Sequence, residues 1–322
     1  HGVLKSFDDI KAVGHRIVQG ADYFSGSALV DDDVLKKVEI CCDFAPLHNP
    51  AHLLGIRAMQ AVLPEVPQVV TFDTAFHQTM PAYSYMYALP YEVYEKYGVR
   101  RYGFHGTSHR YVSARACEYL GIKAEGTKMI TCHIGNGASL AAVVDGKCLD
   151  TSMGLTPLEG VMMGTRSGDV DGGAVTYLQK KLGLDPDAMS NYLNKQSGVA
   201  GVSGVGSDMR DLEAATLAGN KRAELATNMY NYKIKKYIGA YAAAMGGVDV
   251  IVFTAGVGEN QASMREAACE GLEFMGVKIN KEFNAGIRGK EAVISTDDSR
   301  VKVVVIPTDE ELMIASDTAA LL

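Results

Sequence analysis

The chain has no tryptophan, and only 9 of its 322 residues are proline. So few prolines exclude a Pro-rich spacer or a low-complexity chain. There is no excess of basic charge: 31 Lys and Arg against 38 Asp and Glu leave a net charge of −7. A general nucleic-acid binder carries a basic face, so that class is excluded, although one or two local arginines could still hold a small anion. Long apolar runs are missing too. One stretch, 74–91, lacks Asp, Glu, Lys and Arg, but it holds His77, Gln78, Pro81, Pro90 and several tyrosines. It is too polar and too broken to span a bilayer. The six cysteines (41, 42, 117, 132, 148, 269) form no CxxC pair and no framework spacing. Free buried thiols in a reducing cytoplasm are the expected state.

What is present is ordinary globular material, 47% apolar and 21% charged. The length suggests two domains or one large one. Glycine is in excess, 34 residues or about 11% against a usual ~7%. That excess belongs in turns or in loops that approach something closely.

Strands are marked by β-branched runs beside glycine. Residues 128–132 lead into His133-Ile134-Gly135-Asn136-Gly137, residues 138–144 follow, and Asp145-Gly146 signals a tight hairpin before 147–151. Two further buried-type strands are expected at 249–253 and 301–306. Helices are expected at 107–120, 173–183, 209–245 with breaks, and 261–275. In 222–245 the apolar set Leu225, Met229, Ile234, Ile238 and Tyr241 gives an imperfect helical period. Thr308 and Glu311 read as a capping box that opens a last helix. Three antiparallel strands flanked by strand–loop–helix units predict an α/β protein with a mixed sheet.

Several segments have the composition of a site. Gly135 and Gly137 let the backbone take positive φ and approach a ligand, so 133–139 reads as an anion nest or as a plain Asn-Gly hairpin turn. Gly256-Val257-Gly258-Glu259-Asn260 lies between a strand and a helix, where backbone N–H groups suit phosphate. It is not GxGxxG, because Gln261 holds the third position, and no GK[ST] follows; a tight turn is the alternative. Arg166 stands among small residues in 164–169 and would either grip a phosphoryl group or face solvent. Arg16 lies inside an apolar strand-like run, and burying it requires a partner, structural or substrate. His105 and His109 are spaced i,i+4, half of a zinc pattern, but no Glu separates them. His105 alternatively donates a hydrogen bond to a charged ligand. Asp73 at a strand end suits a Mg²⁺ site or a turn. Glu310 faces a cleft or simply supplies charge to a first helical turn. The tyrosines at 83–102 read as interface or core packing.

Taken in order, these segments resemble the acetate kinases from Val13 to about Thr318. The resemblance rests on Ala45-Pro46-Leu47-His48-Asn49-Pro50, Phe72-Asp73-Thr74-Ala75-Phe76-His77, and the runs 102–109, 132–139, 163–169, 207–211, 253–260 and 306–315. It implies two ribonuclease-H-like (actin-like ATPase) α/β domains with mixed sheets around a nucleotide cleft. The first domain would be 1–75, completed by the C-terminal helix 307–322, and the second 76–306. The implied reaction is reversible phosphoryl transfer from ATP to acetate, giving ADP and acetyl phosphate, with Mg²⁺ or Mn²⁺, in a cytoplasmic homodimer that binds neither nucleic acid nor membrane. The resemblance implies catalytic roles for Arg16, Asp73, His105 and Arg166, and metal binding by Asp73 and Glu310. Val18, Leu47, Phe104 and Pro157 would line the acetate methyl pocket, with His48 beside it. His133, Asn136 and Gly137 would hold phosphates, and Asp208, Met209, Arg210, Gly256, Val257, Gly258 and Asn260 the adenosine.

Three departures from the family pattern stand out. Gln19 replaces a histidine. Gly172 replaces a proline, which predicts a looser loop after Arg166. The opening strand with its Asn-x-Gly-Ser-Ser-Ser phosphate loop is not in the chain, so on the order of 70–80 residues, half a domain, are expected to be missing before His1. Propionate kinase, or a nucleotide-binding fragment without transferase activity, are the alternative readings.

Overall fold

The computed structural model describes residues 5–46 and 48–322. Two compact units emerge. The first runs to Tyr111 and takes back Asp309–Leu322, and the second is Val112–Thr308.

In the first unit, β1 (Val13–Ile17), β2 (Ala28–Leu29) and β3 (Gln68–Phe72) form one sheet in the order β1-β3-β2. β1 runs parallel to β3, with Arg16 opposite Thr71 and Ile17 opposite Phe72; β2 is antiparallel. β3 is buried at every position, as its Val-Val-Thr-Phe run requires. Helices Asp32–Ile40 and Asn49–Val62 bring Val34, Val38, Leu53 and Ile56 onto Ile17, Phe24, Val70 and Phe72. Phe24 and Phe72 stack at 4.0 Å, an arrangement that contributes about 0.5–1.5 kcal/mol beyond burial. The last helix, Glu310–Ala320, lies against β1 and β3. It fits because residue 14 is glycine: a Cβ there would lie 2.6 Å from Ile314 Cγ2 and 2.7 Å from Thr318 Oγ1.

The capping box expected at Thr308 and Glu311 does not form. Asp309 is the N-cap, its Oδ1 accepting from Leu312 N at 2.8 Å, so Glu310 opens the helix. Asp outranks Thr as a cap, and the Thr308 N–H is already donated to Glu259 Oε1 at 3.1 Å.

In the second unit, β4 (Lys128–Ile134), β5 (Ala138–Val144), β6 (Lys147–Thr151), β7 (Val250–Thr254), β8 (Ala292–Val293) and β9 (Lys302–Val305) form a six-stranded sheet in the order β6-β5-β4-β7-β9-β8. β4, β7 and β9 are parallel, and β5, β6 and β8 run antiparallel to their neighbours. The mixed α/β expectation holds. Asp145 (φ 53°) and Gly146 (φ 74°) form the left-handed pair of the expected hairpin. Helix Lys221–Ala244 packs on β4, β5 and neighbouring helices, and buries Ala223, Ala226, Tyr230, Ile234, Ile238 and Tyr241. These fall at regular 3- and 4-residue steps. The imperfect period came from Leu225, which is exposed, in place of small Ala223 and Ala226. None of the six cysteines is in a disulfide, and burial pushes the Cys41 and Cys269 thiols up to about 12. Thiols so raised are unreactive.

Candidate active site

The expected site residues fall into two clusters, one in each unit. In the first, parallel β1 and β3 end at the same edge, and the Asp73 N–H donates to Ile17 O at 2.9 Å. Arg16 therefore meets Asp73 in a fork: Nε to Oδ1 at 2.9 Å and Nη2 to Oδ2 at 2.6 Å. Asp73 is buried, while the Arg16 side chain remains 44% exposed. Glu310 Oε2 lies 3.9 Å from Arg16 Nε. Burial first, and then the Asp73 charge, push the Glu310 carboxyl above its usual range, with Arg16 opposing. Asp73 in turn holds the Arg16 guanidinium firmly charged.

His105 takes φ 56°, a left-handed conformation that costs a non-glycine residue energy. It directly precedes helix Gly106–Leu120, whose first N–H donates to Asp73 O at 2.9 Å. The strained histidine is thus tied to the backbone of the carboxylate that holds Arg16. His109, its i,i+4 neighbour, is buried with its ring 5.7 Å from that of His77. His77 is itself buried, its Nε2 paired with Phe104 O at 2.9 Å, and burial lowers its pKa to about 4. Val18 and Phe104 are buried in this unit. His48 is the N-cap of helix Asn49–Val62. Leu47 lies outside the described residues. Gln19 is buried: its Oε1 accepts from Ala21 N at 2.8 Å, and Asn49 Nδ2 donates to its carbonyl at 2.8 Å. His52 was not anticipated. Its Nδ1 accepts from Val18 N at 3.4 Å, and burial, then the nearby Arg16 charge, lower its pKa. The signal was its i+4 spacing from His48, which puts both on one helix face.

In the second unit, β4 and β7 are adjacent and parallel, with His133 opposite Thr254, so the segments that follow them leave one edge together. Gly135-Asn136-Gly137 is the three-residue connection of the β4–β5 hairpin, closed by Gly135 N–H to Gly137 O at 3.0 Å. Neither glycine takes the positive φ expected, because that internal bond reverses the chain without it. Gly164 N–H donates to Asn136 O at 3.1 Å, which docks the Arg166 loop on this turn. The loop is fixed from behind: Val199 N–H and Ala200 N–H donate to Met163 O and Gly164 O, both at 2.9 Å. Asp169 also accepts from Gly160 N at 2.8 Å and from Tyr237 Oη at 2.6 Å. Among the described residues, Arg166 reaches Pro157 O (3.4 Å) and Met163 Sδ (3.8 Å) with Nη1. Among the described residues no carboxylate pairs with it, and burial alone lowers its pKa. A desolvated guanidinium without a counter-charge is costly, and an anionic ligand would complete it.

The 256–260 segment, expected as a loop, is a helical turn, Ala255–Asn260, that begins as soon as β7 ends. Glu259 curls back to accept from Ala255 N at 2.8 Å, and Asn260 Nδ2 donates to Gly256 O at 2.9 Å. These bonds supply the helix with local partners that the glycine pattern did not suggest. Asp208 caps helix Met209–Leu217 and forks onto Arg210, Nη2 to Oδ2 at 2.6 Å. The Asp208 carboxyl is held down to about 2 by Arg210. With the Arg210 side chain 90% exposed, that pair adds little stability, but it fixes where Arg210 stands.

Among the described residues, no group of three or more His, Cys, Asp and Glu is placed to hold a metal ion. Mg²⁺ needs none, because it binds one or two carboxylates and takes its other oxygens from substrate phosphates and water. Asp73 and the half-buried Glu310, whose charge Asp73 disfavours, are a donor pair of that kind. The residues fit a hard dication.

The acetokinase family model matches residues 1–316. An acetate kinase of Phocaeicola vulgatus is 68% identical over 322 residues, all of this chain and 81% of that protein. The crystal structure of Porphyromonas gingivalis acetate kinase superposes with a TM-score of 0.96 at 59% identity, over 99% of this chain and 80% of that one. A propionate kinase structure from Francisella tularensis superposes at 0.93 with 45% identity, over 98% of this chain and 80% of that one.

Proposed function

The chain belongs to the acetokinase family, and from that premise we propose that it transfers the γ-phosphoryl of ATP to acetate, reversibly, giving ADP and acetyl phosphate. The observation that carries this reading is Arg166: a part-buried guanidinium with no carboxylate partner among the described residues, on a loop docked to the 135–137 turn.

Acetate is a weak nucleophile and the phosphoryl group is anionic, so a loose in-line transfer needs positioning and charge more than covalent help. Arg166 would meet the moving phosphoryl. Arg16, with Nε and Nη2 committed to Asp73, keeps Nη1 for an oxygen of the acid. His105 would donate a hydrogen bond to the transferring group. Asp73 and Glu310 would hold Mg²⁺, which when bound neutralises phosphate charge. His133, Asn136 and Gly137 would contact phosphates, and Asp208, Met209, Arg210, Gly256, Val257, Gly258 and Asn260 the adenosine. Val18, Leu47, Phe104 and Pro157 would pack on the methyl group, with His48 nearby. A cytoplasmic homodimer is part of the same proposal; cysteines outside any disulfide fit a reducing compartment.

Propionate kinase is the second reading, favoured by the Francisella likeness. Values of kcat/KM for acetate, propionate and butyrate decide between them. One methylene discriminates by roughly 10–200-fold, so a clear propionate preference would replace the first reading. Tight ATP binding with no turnover on any acid would make the chain a nucleotide-binding module.

A further inference from the structure

Asp317 lies seven residues beyond Glu310 on helix Glu310–Ala320. Two turns separate them, about 10 Å along the axis and on the same face. The Asp317 Oδ2 atom accepts from Arg110 Nη2 at 2.6 Å and from Ser27 Oγ at 2.5 Å. Ser27 Oγ is also 2.9 Å from Thr71 Oγ1.

Arg110 directly, and Thr71 through Ser27, belong to elements that adjoin a site residue. Arg110 sits in the first turns of helix Gly106–Leu120, which His105 precedes. Thr71 is in β3, two residues before Asp73. One carboxylate oxygen therefore ties together the elements that present Glu310, His105 and Asp73. The tie is partly buried, the Asp317 side chain being 16% exposed, and its bond to Arg110 is charge-assisted, so it is stronger than a neutral pair. The helix is pinned at a second point, where Ile314 and Thr318 close on Gly14. The two points resist sliding and rotation of the helix, and so hold Glu310, in its first turn, near Arg16.

We propose that Asp317 is a positioning residue that sets the register of the last helix so that Glu310 meets a divalent cation beside Asp73. This rests on the reading of Glu310 and Asp73 as the metal carboxylates.

The test is Mn²⁺ binding in the presence of ADP, followed by electron paramagnetic resonance, in Asp317→Ala, Ser27→Ala and Glu310→Gln. Loss of an outer hydrogen-bond partner typically weakens metal affinity by roughly 10–100-fold. Asp317→Ala is expected to weaken Mn²⁺ binding about tenfold, at the low end of that range. Ser27→Ala should shift it in the same direction by less. The KM for acetate should move less than about twofold in both. A parallel rise in acetate KM and Mn²⁺ Kd would mark a merely structural role and overturn the inference. So would unchanged Mn²⁺ binding in both variants while Glu310→Gln weakens it. If Glu310→Gln itself binds Mn²⁺ like the wild type, the metal reading fails instead. Ser27→Ala removes only a hydroxyl and decides the matter if Asp317→Ala does not fold.

Discussion

Gly106 and Asp73 touch through their backbones: the Gly106 N–H donates to Asp73 O at 2.9 Å, and a Cβ on residue 106 would lie 2.1 Å from that oxygen. The obstacle is a carbonyl, so no side-chain rotation relieves it. Gly106→Ala is expected to displace His105 from Asp73 and to lower kcat roughly 100-fold, as small misplacements in an active site do, with KM for ATP little changed. Steady-state kinetics check this; an unaltered kcat would show that the contact positions nothing.

Arg166→Ala is expected to lower kcat by roughly 10³-fold or more, as loss of an arginine clamp does. Arg166→Lys should not restore it, because an ammonium lacks the planar fork. The same residue has no counter-charge in its own unit, so Arg166→Ala should leave the melting temperature unchanged or raised. Calorimetry on the variant separates the two effects, and a large drop in melting temperature would show that Arg166 is structural.

Glu310 sets an acid limit. Burial and Asp73 raise its pKa, and only the ionised form attracts a cation. As pH falls through that raised value, Glu310 neutralises and cation binding weakens, at a higher pH than for an ordinary glutamate. The Mg²⁺ concentration for half-maximal rate should rise on the acid side, and Glu310→Gln should flatten that limb. A profile identical in the variant would remove Glu310 from metal binding.

His77 makes folding acid-sensitive. Its pKa falls from 6.5 to about 4 on burial, so the folded state binds fewer protons than the unfolded chain between those values. The stability is complete above pH 6.5 and is lost as pH falls toward 4, about 3 kcal/mol in all. Denaturant unfolding at pH 7 and pH 5 should show His77→Gln with the shallower pH dependence. Equal slopes would mean the ring is charged in the folded protein.

Much of this was legible in the sequence because it was local. β-Branched runs beside glycine located β4, β5, β7 and β9, and Asp145-Gly146 gave its hairpin. Arg16 needed a partner, and Asp73 follows a strand that proved to be its parallel neighbour. What stayed hidden depends on neighbours distant in the chain. Asp309 displaced Thr308 as the cap because Glu259 already held the Thr308 N–H. Asp317 looks like one more surface acid until Arg110 and Ser27 fold onto it. The buried stripe of helix Lys221–Ala244 was obscured by small alanines, which carry little hydrophobic signal but allow close packing.

The closure of the first sheet by helix Glu310–Ala320 also has a consequence for biosynthesis. Ser27 and Asp317 bond across 290 residues of chain. At about 5–20 residues per second, a ribosome needs roughly 15–60 s to travel between them. Throughout that time β1 is made but the helix that packs on it is not. The apolar edge around Gly14 stays open for the whole interval, long enough for chaperone capture or aggregation to compete. Glu310 reaches its place only near the end of the journey, so a nascent chain holds Arg16 and Asp73 long before it holds the second carboxylate.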